Sequence, residues 1–178
     1  MYFHIIGDFF NPGEREEYMS IIKENHLDPY VILHGRQAGQ MLDLLFELCD
    51  FGIGSLGRHR SGITNIKTLK NREYAARGIP FIYSEIDEDF ENMPYIMKIP
   101  ANEEAVDIKQ ILNFYNQLHI TPLEIRNSIR HLSWNNQMKK VLDEMQKKDK
   151  INPNNNNIAN FATLYTNKFI PNKEKWPH

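Results

Sequence analysis

The stretch Ile66–Ser84, IKTLKNREYAARGIPFIYS, combines a helix, a turn and a buried strand, and its reading decides the fold. Ile66, Leu69, Glu73, Ala76 and Arg77 return to one side at the helical period, which predicts a helix over Ile66–Arg77. Gly78 follows as the terminating residue, and Pro80 stands where the chain turns into the extended run IPFIYS. The small side chains of Ala75 and Ala76 would let the helix lie close to a sheet. On this reading Glu73 faces packed structure near the end of a strand. The alternative is an exposed acid paired with Arg77 one turn later, which stabilises a helix by only about 0.2–0.5 kcal/mol.

Outward from this stretch, short apolar runs alternate with amphipathic segments. Strands are predicted at Tyr2–Ile6, Tyr30–Leu33, Asp50–Ser55, Ile79–Ser84 and Tyr95–Ile99. Helices are predicted at Glu14–Asn25, where Tyr18, Ile21 and Ile22 recur at helical spacing, and at Ala38–Cys49, where Met41, Leu42, Leu44, Leu45 and Leu48 form a broad apolar face. Two more follow at Val106–Leu118 and from Pro122 to about Gln146, with Thr121 as cap and Trp134 and Met138 packing inward. Such alternation implies parallel strands with crossover helices, a doubly wound α/β domain over residues 1–150. Beyond it, 151–178 reads as an Asn-rich joint, Asn154–Asn157, and a tail helix carrying Ile158, Phe161, Ala162, Tyr165 and Phe169.

Composition narrows the function classes. A chain of 178 residues with 41% hydrophobic and 25% charged residues suits a globular domain with its own core. A net charge of −2 lacks the broad basic face that nucleic-acid binding needs. The single cysteine, Cys49, cannot form an internal disulfide, which suits a reducing compartment. No apolar run reaches the roughly 20 residues of a membrane span, and the N-terminus lacks the layout of a signal peptide. A cytoplasmic protein is expected. The histidines show no metal-ligand spacing, so neither a metal nor a cofactor is expected.

In open α/β sheets, ligands bind beyond the carboxyl ends of the strands. Gly7-Asp8, His34-Gly35-Arg36, Ser55–Arg60 and the start of the Ile66 helix fall on that rim. Gly52-Ile53-Gly54-Ser55-Leu56-Gly57 matches G-x-G-x-x-G, but its first glycines lie within the predicted strand, and loop rather than helix follows it. A dinucleotide site of the NAD type is therefore rejected. The glycines would instead let phosphates or a sugar approach the backbone. Arg58, Arg60, Lys67 and Lys70 place four cations within thirteen residues beside a helix start, which suits a diphosphate better than a solvated surface. In this reading Lys70 is the phosphate cation and Arg72 points outward.

LKNREYAARGIPFI resembles the donor-binding segment of GT-B glycosyltransferases, especially the retaining family 4 enzymes of bacterial capsule and lipopolysaccharide assembly, with their E-A/Y-x-A-x-G-x-P pattern. The likeness extends from Tyr2 to about Met145 and implies a Rossmann-like parallel sheet, the C-terminal half of a GT-B enzyme. It implies that Glu73 accepts from ribose hydroxyls, and that the backbone at Ile66, Lys67, Thr68 and Leu69, with Lys70 and Arg58 or Arg60, holds the diphosphate. It further implies that His34, Gly35 and Arg36 flank the base, with Gly57 in the glycine loop and Gly7 on the rim among the residues of the site. Asn65 stands eight residues before Glu73, where the family has a glutamate on the donor sugar. No catalytic residue is assigned. The expected ligand is a nucleotide-diphosphate sugar, used without a metal. The expected acceptor is a glycan or lipid-linked sugar, held by an N-terminal domain that this chain lacks. The chain is accordingly expected to be an inactive fragment alone, cytoplasmic or peripheral at the inner membrane in the full enzyme. The competing readings are a sugar-nucleotide epimerase of the same layout and a non-catalytic interaction domain.

Overall fold

The structure, a computed structural model, describes residues 1–151, with side chains described through residue 147. It is an α/β protein with parallel strands. In order come β1 (Phe3–Ile5), α1 (Pro12–Glu24), β2 (Val31–Leu33), α2 (Gly39–Glu47), β3 (Gly52–Ile53), a 3-10 turn (Arg58–Ser61), α3 (Leu69–Arg77), β4 (Phe81–Tyr83) and β5 (Ile96–Lys98). Helices α4 (Ile108–Asn116), α5 (Pro122–Ser128) and α6 (Trp134–Ile151) follow, with a second 3-10 turn at Arg130–Leu132. The strands form two small sheets, one of order β1-β2 and one of order β3-β4-β5. The chain divides into two compact units, Met1–Gly52 and residues from Ile53 onward. The Asn154–Asn157 run and the Ile158–Phe169 stripe lie outside the described residues. No described helix is long and apolar enough to cross a membrane.

In the first unit β1 and β2 run parallel, with Phe3 opposite Val31 and Ile5 opposite Leu33. Asn11 caps α1 by accepting from the Glu14 N–H at 2.9 Å, and the Glu14 carboxylate returns to the Phe10 N–H. The first bond satisfies an amide that the helix start leaves open, and the second ties the residue before the cap to the first turn. The buried faces are narrower than the spacing predicts: only Ile22 of α1 and Leu45 of α2 are buried, while Tyr18, Ile21, Met41, Leu44 and Leu48 are exposed. Two three-residue strands offer too little surface to cover a wider stripe.

The second unit is built on β4. Phe81, Ile82 and Tyr83 are fully buried, as expected of a strand flanked by β3 and β5. Phe81 is the hub of an aromatic cluster, edge-on to Phe90 at 5.4 Å and beside Tyr74, Tyr83 and Tyr95. Ile66, Ala75, Ile125 and Ile129 complete this core. The Tyr95 hydroxyl shares a 2.8 Å hydrogen bond with Ser128, tying β5 to α5.

Helix α3 starts at Leu69, three residues later than predicted. The reason is a long-range pairing: Ile66 N–H donates to the Ile86 carbonyl and Ile86 N–H to that of Thr64, both at 2.8 Å, which holds Thr64–Ile66 extended. The helix buries Asn71 and Ala75, whereas Leu69, Glu73 and Ala76 face outward. This corrects the predicted face. It ends at Gly78, whose φ of +77° lies in the left-handed region and whose Cα abuts Pro122 at the start of α5. Helix α5 begins with a capping box between Thr121 and Glu124. The single helix predicted from Pro122 is broken. Ser128 turns its hydroxyl back onto the Ile125 carbonyl, and Ser133 is extended before α6. Trp134, expected to pack inward, is 79% exposed.

Candidate functional site

Where β3 ends, the backbone passes too close to β4 for any side chain. A Cβ on Gly54 would stand 2.7 Å from the Ile82 carbonyl oxygen and 2.8 Å from Asn71 Oδ1. Gly54 is thus a packing glycine, while Gly57 is exposed and its missing Cβ would meet nothing within 4 Å. From Gly57 the chain enters the Arg58–Ser61 turn, which is held by one buried carboxylate. Glu85 Oε1 accepts from the Arg58 N–H at 2.6 Å and the His59 N–H at 3.2 Å, and the Glu85 side chain is wholly buried. Glu85 stands just past the predicted Ile79–Ser84 strand, and no local sequence signal marks it for burial. Neither Glu85 Oε2 nor His59 Nδ1, both buried, has a hydrogen-bond partner.

Of the turn's basic side chains, Arg58 lies within electrostatic reach of Lys70 in the first turn of α3. Lys70, exposed as a residue, has its ammonium pKa lowered first by desolvation and then by the Arg58 guanidinium. Among the described residues no acid pairs with Lys70 or with the Arg58 side chain. The Arg58 charge thus acts on Lys70, and neither side chain has an acidic partner among the described residues. Thr68 precedes α3 in an extended conformation and makes no side-chain cap, so the amides of the first turn keep their capacity to bind an anion.

The other predicted residues of this unit fall nearby in sequence but differ in role. Arg60 and His59 both bind Glu103. Lys67 pairs with Glu88 at 3.5 Å, and Asn65, Ile66 and Lys67 line a shallow groove of about 170 Å³ with Ile86 and Glu88. The Asn65 amide donates to its neighbour Thr64. Glu73 is nearly half exposed and accepts from Arg77 Nε at 2.7 Å, the arrangement of the simpler sequence reading. Arg72 does not point outward. It donates to Asp87 at 3.1 and 3.3 Å, contacts Asp89, and lies over the Phe90 ring.

Asp87 is fully buried and also accepts from the Asn71 amide at 3.1 Å. This network fixes the first turn of α3 against the segment after β4, and sequence spacing carries no sign of it. Nearby, Tyr83 donates its hydroxyl to Glu91 Oε1 at 2.9 Å, while Lys98 binds the same oxygen. Burial, then the bond to Glu91, push the Tyr83 phenol well above its ordinary range.

Gly7, His34, Gly35 and Arg36 belong to the first unit and gather at the ends of β1 and β2. Gly7 N–H donates to the Gly35 carbonyl at 2.8 Å, and both glycines have positive φ. The His34 ring stacks on His4 with centroids 5.1 Å apart, sharing a 2.9 Å Nδ1–Nε2 hydrogen bond. Arg36 pairs with Asp8 at 2.7 Å, both side chains exposed. No group of three or more potential metal-ligating side chains occurs among the described residues.

No protein-family model, curated protein or solved structure matches the chain.

Proposed function

We propose that the chain binds a nucleotide-diphosphate sugar and serves as the donor-binding part of a retaining, GT-B-type glycosyltransferase, its strands forming the doubly wound half of that fold. The observation that carries the reading is the uncapped start of α3, whose first turn bears Lys70 within electrostatic reach of Arg58, neither having a paired acid among the described residues. Two cations and a helix start together suit a diphosphate. Thr68, Leu69 and Lys70 would supply amide donors, and Gly57 leaves its side of the loop open. Glu73 lies three residues after Lys70, on the same side of the helix, where a carboxylate can accept from two ribose hydroxyls. Asn65, an exposed amide, would contact the sugar.

In transfer, the acceptor hydroxyl would attack the anomeric carbon on the face from which the nucleoside diphosphate departs, with Arg58, Lys70 and the helix amides stabilising the charge that develops on the leaving group. The acceptor would be held by a further domain of the enzyme. Donor and acceptor would meet on the cytoplasmic side.

Calorimetric titration of the chain with UDP, GDP and ADP tests the reading. One nucleotide should bind saturably. Glu73→Gln should weaken it by about 1–3 kcal/mol, the cost of an unmatched polar partner. Absence of binding by all three would contradict the proposal.

A further inference from the structure

Glu103 makes an unusual set of contacts for an exposed side chain. Its Oε1 accepts from Arg60 Nε and from His59 Nε2, each at 2.9 Å, and its Oε2 makes a close contact with Arg60 Nη2. A carboxylate can only accept, so His59 Nε2 is the donor here. Three N–H groups thus surround two oxygens, with the Arg60 fork bidentate, a geometry that suits carboxylate and phosphate equally. These bonds, Arg60 first, hold the Glu103 carboxyl down to about 2.

The two halves of this contact are anchored very differently. His59 and Arg60 lie on the Arg58–Ser61 turn, which buried Glu85 grips through two backbone amides independently of Glu103. Glu103 lies between β5 and α4, outside both elements, with 61% of its side chain exposed. The turn backbone and the largely buried His59 ring are held in place, while the Arg60 and Glu103 side chains are both largely exposed.

We infer that His59 and Arg60 form an oxyanion subsite beside the Arg58–Lys70 pair, and that Glu103 occupies it as an internal competitor which a ligand phosphate must displace. The inference rests on the diphosphate reading of the loop and adds a means of regulating it. A phosphate entering the subsite takes over the Arg60 fork and the His59 N–H, and releases the segment that bears Glu103.

The test uses the whole chain and two probes, inorganic pyrophosphate and the nucleotide that binds most tightly, titrated into wild type, Glu103→Gln, Glu103→Ala and Glu103→Gln/Arg60→Ala. Both Glu103 variants should bind pyrophosphate at least about fivefold more tightly, and Arg60→Ala should remove the gain. Unchanged or weaker binding by both Glu103 variants, with wild type binding, would overturn the subsite and leave the diphosphate reading standing. Failure of every variant to bind either probe would overturn that reading and the subsite with it. An unchanged thermal unfolding midpoint for Glu103→Gln checks that its effect is on the ligand.

Discussion

Replacing Asp87 with alanine removes the acceptor that joins α3 to the segment after β4. Its side chain has no exposure, and it receives two bonds from Arg72, which is only 21% exposed, and one from fully buried Asn71. Breaking a buried ion pair by removing one partner costs about 3–5 kcal/mol, because the other charge is left behind. Asp89 remains beside Arg72, which argues for the low end. The Asn71 amide, left without its acceptor, adds a cost that overlaps the first. A loss of about 3 kcal/mol follows. At a urea slope of roughly 1.5 kcal/mol/M, that lowers the unfolding midpoint by about 2 M. Amide resonances of Phe81, Tyr83, Phe90 and Tyr95 are the suitable signal, since these residues lie in the second unit and report its unfolding separately from Met1–Gly52. Arg72→Met should cost less, and adding it to Asp87→Ala should restore part of the loss. A midpoint shift below about 0.5 M for Asp87→Ala, with no coupling to Arg72, would refute the buried network as the anchor of α3.

Gly78→Ala should destabilise the second unit by more than the ~1–2 kcal/mol of a left-handed alanine, since its Cβ would stand 2.6 Å from the Pro122 carbonyl oxygen; chemical denaturation measures this, and a neutral result would contradict the α3–α5 contact. Phe81→Ala should cost about 3–5 kcal/mol in the same assay, because the ring is fully buried at the centre of the aromatic cluster. Glu103 should titrate near 2 by carboxyl carbon resonance, and should return toward the ordinary carboxylate value in Arg60→Ala. Its folded-state value is depressed, so its contribution to stability is present above the unfolded value of about 4.3 and is lost as pH falls from there through 2.

The α/β class was legible because each strand is a short apolar run bounded by turn residues, and because Gly78 and Thr121 are strong local stop and start signals. What escaped sequence reading depends on partners far along the chain. The later start of α3 follows from the pairing of Asn65 with Ile86, and no local propensity announces it. That shift moves the inward face from Glu73 to Asn71, a polar residue buried only because Asp87 meets it. Glu85 and Asp87 stand in a run of acids that reads as a solvated turn, yet both are buried on donors supplied by the Arg58 turn and by α3. The break before α6 is of another kind. Ser128 and Ser133 are the local signals, and the apolar spacing of Pro122–Gln146 outweighed them. The cationic loop was recognisable from its composition, but the division of labour within it was not: Arg60 binds Glu103, while Arg58 lowers the ammonium pKa of Lys70.

The most direct measurement of the central claim is a map of amide chemical shifts during titration with UDP, GDP and ADP. The account predicts that one nucleotide shifts the amides of Gly57, Arg58, Leu69 and Lys70 in a saturable manner, and that Lys70→Met weakens the response at least about tenfold, corresponding to 1.4 kcal/mol or more. Saturable shifts confined to residues outside Gly57–Glu73, or a response unchanged by Lys70→Met, would contradict it.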